Sequence, residues 1–249
     1  MMFRWEPDMV RFMRDASSYG GYHAELAARI AAHLPKDAHV CDAGCGLGFL
    51  SAALSPLCGH VTALDLSENA LAVAREILAP LPNATAVCAD METYAPDKPF
   101  DAMVFCFFGR TEEILRFARN ACRGRVIVIK KNWTHHRFTL EKKPLLHSTL
   151  PETERFLAGL HIPFESETLT IEFGQPLRSE ADAVRFFQLY SRDEHPETIA
   201  FADIAPRLER RDDAVFPLYL PERKRLGIVS FDAGAIPGEI KLNVKEDLS

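Results

Sequence analysis

His39-Val-Cys-Asp42-Ala-Gly44-Cys45-Gly46-Leu-Gly48-Phe49-Leu50 is the most informative segment of the chain. A short apolar run from His39 to Ala43 turns at once into glycines, and from Phe49 to Leu57 apolar residues return at helical spacing, which reads as strand, tight turn, helix. Glycines at such a turn let the backbone fold sharply and let a ligand approach the main chain without a Cβ in the way. They also lie at the positive end of the helix that follows. The spacing is G-x-G-x-G. The dinucleotide fingerprint G-x-G-x-x-G would need its third glycine at position 49, which is Phe49, and this weighs against a nicotinamide-dependent oxidoreductase.

Working outward, Tyr22 to Leu34 carries Leu26, Ile30 and Leu34 at a four-residue step and stops before Pro35, the pattern of an amphipathic helix. Downstream, Val61 to Asp65 reads as a strand, and Ser67 is placed to N-cap a helix through Leu78 that ends before Pro80. Strands are expected near Ala86 to Ala89, at Asp101 to Phe107 and over Val126 to Ile129, with a helix from Thr111 to about Cys122. Short apolar strands alternating with helices imply an α/β protein whose parallel sheet is covered on both faces. Right-handed crossovers put the C-terminal ends of all these strands on one edge, where ligands of open sheets bind. Asp65 ends the second strand at that edge and is suited to accept both hydroxyls of a ribose. Asp90, after the third, is suited to accept from an exocyclic adenine amine, and Met91 offers an apolar wall.

Past Lys131 the pattern loosens. A helix is expected over about Pro151 to Leu160, a strand with one wet face over Glu167 to Phe173, and a helix around Glu180 to Tyr190. A Pro- and charge-rich irregular cover spans Arg192 to Arg225, and a late strand spans Leu226 to Phe231. The chain is read as a single domain over 1–249. Residues about 20–131 form its cofactor-binding core, about 132–225 shape the substrate site, and 226–231 supply the late strand.

The order of these motifs carries a resemblance. Val40-Cys-Asp42-Ala-Gly44-Cys45-Gly46-Leu-Gly48, Val61-Thr-Ala-Leu-Asp65-Leu66-Ser67, Ala89-Asp90-Met91 and Phe100-Asp101-Ala-Met-Val resemble the successive motifs of the class I S-adenosylmethionine-dependent methyltransferases, from about Tyr22 to Lys130. The resemblance implies a Rossmann-like, seven-stranded, mostly parallel sheet with helices on both faces, a reversed final hairpin and an antiparallel last strand. It implies S-adenosylmethionine as cofactor and S-adenosylhomocysteine as product. Carried onto this chain, Gly44, Cys45 and Gly46 would line the methionine moiety, with Cys45 acting through its backbone. Asp65 would hold the ribose, Leu66 and Met91 the adenine faces, and Asp90 the adenine amine. Asp42 would brace the turn or meet the ligand amino group.

Transfer of a methyl group from a sulfonium is an in-line displacement, for which proximity, alignment and exclusion of water supply much of the rate. A base is needed only when the acceptor must lose a proton. The fourth strand runs into Phe105-Cys-Phe107-Phe108-Gly109 and lacks the Asn/Asp-Pro-Pro-aromatic signature of many nucleobase and glutamine amine methyltransferases. Its aromatic residues suit an apolar or aromatic-walled acceptor pocket, with Phe107 beside the cofactor and Phe108 beside the substrate. Ser17-Ser-Tyr19-Gly-Gly-Tyr22-His23 has the composition of a hinged lid, which places Tyr19 against substrate and makes Tyr22 and His23 the candidate catalytic residues, His23 as a base. Lys130-Lys131-Asn-Trp-Thr-His135-His136-Arg137, followed by Lys142-Lys143, is a basic segment at the ligand edge. It offers Lys131, His136 and Arg137 to a carboxylate or phosphate of the substrate, with a solvated loop as the plainer reading.

Composition bounds the partners. The chain has 249 residues with 29 Lys+Arg against 35 Asp+Glu, a formal charge of −6. With a pI near 5.9, the broad basic surface that nucleic acid needs is missing. The stretch holding Arg210, Arg211, Arg223 and Lys224 is diluted by Glu209, Asp212, Asp213 and Glu222. The longest pure apolar run, Ala102 to Gly109, is too short to cross a bilayer, and the N-terminus does not read as a secretory signal. A cytoplasmic location and no membrane partner are therefore expected. The six cysteines show no CxxC pair, and His135-His136 has no companion ligand at metal spacing, so neither disulfides nor a metal are expected. The expected activity is methyl transfer to a small molecule, possessing an anionic group if the basic segment takes part. The rival reading is a non-catalytic S-adenosylmethionine-binding regulatory or scaffold protein.

Overall fold

Successive side chains of a strand point to opposite faces, and this sorts the apolar runs of the first half into two cores in the computed structural model, which describes residues 5–141, 143–145 and 147–240. Cys41 and Ala43 of β1 (His39–Ala43), Met103 and Phe105 of β4 (Phe100–Cys106) and Val126 and Val128 of β5 (Cys122–Lys131) pack with Ile114, Leu115 and Ala118 of α5 (Thr111–Ala121) and Leu157 of α6 (Leu150–Gly159). The alternate residues Val40, Val104, Ile127 and Ile129 pack on the other face with Leu26 and Ile30 of α2 (Tyr22–Ala31) and Leu50 and Leu54 of α3 (Phe49–Leu54).

Together with β2 (His60–Asp65), β3 (Ala84–Cys88), β6 (Phe164–Glu172) and β10 (Arg223–Asp232), these strands form a seven-stranded sheet among the described residues, in the order β3-β2-β1-β4-β5-β10-β6. β10 is antiparallel to both neighbours, so β6 runs with β1 to β5 and only the last strand is reversed. The expected Rossmann-like sheet with an antiparallel last strand is present, and the reversed strand lies inside the edge rather than on it. Strand order turns back between β1 and β4, which opens a crevice at their C-terminal ends. The helix α4 (Glu68–Leu78) starts on Ser67, whose Oγ accepts the Ala70 N–H at 3.3 Å.

Three expectations change. The lid-like segment Ser17 to His23 is the junction of two helices: α1 (Pro7–Tyr19), which the sequence reading missed, ends at Tyr19, and Gly20-Gly21 separate it from α2. The first core helix stops at Ala31, three residues short of Leu34. The stretch 192–225 is not irregular throughout. It contains α8 (Phe201–Ile204), β8 (Glu209–Arg210) and β9 (Leu218–Leu220), and these two strands join β7 (Gln175–Leu177) in an antiparallel sheet of order β7-β9-β8. Strands of two or three residues carry no readable period. Their burial comes from elsewhere, since Leu177, Leu218 and Leu220 pack with Phe12 of α1 and with Phe186 and Phe187 of α7 (Glu180–Tyr190). No helix among the described residues is long and apolar enough to cross a membrane.

Candidate functional site

The glycine turn leaves β1 with Gly44, Gly46 and Gly48 all at positive φ, +70°, +54° and +79°. Two of the missing Cβ atoms are replaced by aromatic rings. A Cβ on Gly44 would lie 2.2 Å from the Phe108 ring, and one on Gly46 would lie 2.9 Å from Trp5. The turn's amides are engaged within the protein: Gly44 and Cys45 donate to the Leu64 carbonyl at 2.7 and 3.1 Å, and Gly46 donates to Asp65 Oδ2 at 2.9 Å. The turn is thereby tied to the tip of β2. With the Phe108 and Trp5 rings lying over Gly44 and Gly46, the turn is closely covered, and it presents no row of spare N–H donors.

The carboxylates differ in what they do. Asp65 also accepts the Ser67 N–H on Oδ1 at 2.8 Å, so each of its oxygens is oriented by one backbone amide and keeps a second acceptor position for a hydroxyl. Asp90 is exposed and accepts the Glu92 N–H on Oδ1 at 2.9 Å. Asp42 is buried, and burial raises its pKa to about 6 even though the Ser51 hydroxyl donates to it at 2.5 Å and works the other way. Its bond to Ser51 in α3 makes it a brace between β1 and the helix after the turn. Burial also pushes the Cys45 thiol far up, so this side chain stays protonated and is a poor nucleophile.

These residues open on a cavity of about 890 Å³, within the range of small-molecule sites. Asp65, Leu66, Asp90 and Met91, at the tips of β2 and β3, line one end; Tyr22, His23, Phe49, Phe107 and Phe173 wall the other, and Phe108 lies over Gly44 between them. Such a space, with oriented carboxylates at one end and the glycine turn beside them, has the chemistry of an adenosyl site. The aromatic end is closely built: Tyr22 and Phe173 rings stand 4.2 Å apart, and His23 lies stacked on Phe49 at 5.5 Å. Burial, and behind it the charge of Lys224, holds His23 down to about pKa 3. An imidazole that resists protonation this strongly is a wall of the cavity and a poor general base near neutrality. The Tyr22 hydroxyl is buried with no hydrogen-bond partner among the described residues, and its pKa is raised well above the usual value by burial.

The loop after β4 is held from beneath. Phe107 has φ +54°, and Gly109 has φ +70°. The Lys130 ammonium, 1% exposed, donates to the Gly109 carbonyl at 2.7 Å. Burial is the main cause that brings its pKa down to about 8. Lys130 therefore serves the loop and not a substrate anion. Its neighbour Lys131 points to the opposite face, as strand alternation requires.

Four sequence-derived substrate or lid residues do not line this cavity. Tyr19 lies behind Tyr22, packed on Phe216 and Tyr219 at 5.7 and 5.4 Å. Arg137 is spent in an ion pair with Glu222 and lies over the Trp133 ring at 5.1 Å. Lys131 and His136 feel the charges of Arg192 and, for His136, of Lys143; this basic group lies apart from the cavity lining. Lys142 lies outside the described residues. Conversely, Trp5, Phe49, Phe173 and Lys224 line the cavity and were missed. Lys224 was legible in principle. Its partner strand is antiparallel, so β10 begins at the ligand edge, and Lys224 shares a face with Leu226 and Ile228, which pack in the same core as Tyr22. Among the described residues no group of His, Cys, Asp and Glu is placed to hold a metal ion.

Comparison with known proteins agrees with this geometry. Residues 40–124 match a family model described as a methyltransferase domain. Over 131 residues the chain is 33% identical to dTDP-3-amino-3,6-dideoxy-alpha-D-glucopyranose N,N-dimethyltransferase from Streptomyces fradiae, an alignment covering 47% of this chain and 50% of that protein. The match thus spans about half the length of the curated relative. The fold is similar to that of the YcgJ protein of Bacillus subtilis (TM-score 0.54, 12% identity, covering 86% of this chain and 98% of that one). It is also similar to a Bacillus halodurans C-125 protein described as a candidate methyltransferase (TM-score 0.53, 14% identity, covering 86% and 99%). The resemblance read from the motifs is borne out, and S-adenosylmethionine is the cofactor that the family implies.

Proposed function

We propose that this chain, whose residues 40–124 match a methyltransferase domain and whose motifs resemble those of the class I S-adenosylmethionine-dependent enzymes, transfers the methyl group to a small molecule with an apolar or aromatic body. The observation that carries this reading is one cavity whose two ends differ in chemistry. Carboxylates at the tips of β2 and β3 suit the hydroxyls and amine of an adenosine, and a box of aromatic rings faces the other way. A sulfonium bound between them would present its methyl group to whatever the box holds.

The chain's residues would contribute position and dryness. Asp65 would orient the ribose and Asp90 the adenine amine, with Leu66 and Met91 against the ring faces. Tyr22, Phe107 and Phe108 would exclude water and align the acceptor. The S. fradiae relative is named as an amino-sugar N,N-dimethyltransferase, which supports a small-molecule acceptor and recommends amines for a first panel. Residues about 20–131 would form the cofactor half, and about 132–225 with β10 the acceptor half, of a single domain.

Calorimetry with S-adenosylmethionine and S-adenosylhomocysteine tests the cofactor reading. Release of S-adenosylhomocysteine across a panel of amino sugars, nucleotide-linked amino sugars and phenols tests the acceptor reading. Binding of neither compound would end the proposal.

A further inference from the structure

At the aromatic end of the cavity the amine of Lys224 stands among the rings. Lys224 Nζ lies 3.8 Å from the centroid of Phe173, 5.0 Å from that of Tyr22 and 5.9 Å from that of Phe107, and its side chain is part of the cavity wall. Among the described residues it has neither a carboxylate partner nor a hydrogen-bond acceptor. The nearby carboxylates are engaged elsewhere: Glu222 is held by Arg137, and Glu172 accepts the Tyr219 hydroxyl at 2.7 Å. An ammonium left unpaired in an apolar enclosure is costly, and here the fold puts it where an acceptor would lie.

On the strength of these contacts, and resting on the methyltransferase reading above, we infer that Lys224 in its neutral form removes the proton of the methyl acceptor. The acceptor's lone pair forms the new bond to the methyl carbon as the carbon–sulfur bond breaks and leaves its electron pair on sulfur. The acceptor's proton passes to Lys224 Nζ, and the resulting ammonium returns it to water once product leaves.

The surroundings suit this task. Burial, followed by the charges of Arg137 and, more weakly, Lys131, lowers the Lys224 pKa to about 7, while Cys106 acts in the opposite sense. Of the other titratable groups facing it, Tyr22 and His23 on α2 are neutral, the first by its raised and the second by its lowered pKa. A base of this strength matches a weakly acidic acceptor, an alkylammonium or phenolic hydroxyl with a pKa of about 10, better than an aliphatic alcohol.

The test is a pH titration of the protein with S-adenosylhomocysteine present, its lysines carrying 13C-dimethyl labels and read by NMR, the Lys224 signal being assigned by its loss in Lys224→Arg. A midpoint well below those of the other lysines is expected; a midpoint among them overturns the inference. In turnover with an amine or phenol from the panel, Lys224→Met is expected to lower kcat by roughly 10²–10⁴-fold and to flatten the acidic limb of its pH profile. Unchanged kcat and an unchanged limb would also overturn it. Calorimetry separates the two readings: failure of wild-type protein to bind S-adenosylhomocysteine defeats the methyltransferase proposal, whereas tight binding with an ordinary Lys224 midpoint defeats only the role given to this lysine.

Discussion

The Gly46 N–H donates to Asp65 Oδ2 at 2.9 Å, a single bond between the turn that follows β1 and the residue that ends β2. It makes one carboxylate both part of the cavity wall and the clamp on the turn beside it. The second oxygen, on the Ser67 N–H, extends the clamp to the start of α4.

Asp65→Ala should therefore act on stability as well as on affinity. Two backbone amides lose their acceptor at a partly solvated edge, which costs about 1–3 kcal/mol, and S-adenosylhomocysteine affinity should fall at least tenfold. Asp65→Asn, which keeps one acceptor oxygen, should fall between. Thermal unfolding and calorimetry on the three proteins check this; wild-type behaviour of the alanine variant would show the clamp to be idle.

Gly44→Ala should abolish cofactor binding through two separable effects. The new methyl would lie 2.2 Å from the Phe108 ring, and the backbone stays at φ +70°, a region costing a non-glycine residue about 1–2 kcal/mol. Adding Phe108→Ala should remove the clash and leave the strain. The double variant is then expected to unfold at a higher temperature than Gly44→Ala alone. Strict additivity of the two single changes would count against direct contact.

Asp42 predicts a pH dependence of definite sign. Its pKa is raised from 3.8 to about 6 in the folded protein, so between these values the native state binds more protons than the unfolded state. Its contribution is most favourable below pH 4 and is lost as pH rises through 6, a change on the order of 3 kcal/mol. Asp42→Asn, which still offers an oxygen to the Ser51 hydroxyl, should remove that slope. Urea unfolding of both proteins from pH 4 to 7 measures the difference; parallel curves would refute the assignment.

Lys130→Met should loosen the loop after β4 by removing the donor to the Gly109 carbonyl, while leaving apolar packing largely intact. Hydrogen exchange should rise at Phe107 to Gly109, and S-adenosylhomocysteine affinity should fall, with little change at Asp65. Protection of the loop equal to wild type would mean that Lys130 is not what holds it.

The first five strands were legible because each is a short apolar run, and alternate residues of β1, β4 and β5 enter opposite cores. The small β7-β9-β8 sheet was not, since its strands owe their burial to α1 and α7, remote in sequence. The same divide runs through the site. Gly44, Asp65, Asp90 and Met91 stand next to strand ends and could be read from spacing. Phe173 and Lys224 enter only because β6 and a reversed β10 bring their ends to the same edge.

The basic segment shows the opposite error. Adjacent charges in sequence suggested one anion site, yet Lys130 and Lys131 diverge across the sheet, and Arg137 pairs with Glu222, 85 positions along the chain by number.

Spacing along the chain thus set one end of the cavity: a glycine turn and two carboxylates at strand ends follow from local periodicity, which a strand or helix expresses wherever it lies. The aromatic end came from packing, because a lysine with no ion-pair partner among the described residues, set among aromatic rings, is a property of surroundings assembled from α2, β4, β6 and β10. Which charge is buried, which is paired and which is left over is fixed by packing, and no spacing along the chain encodes it.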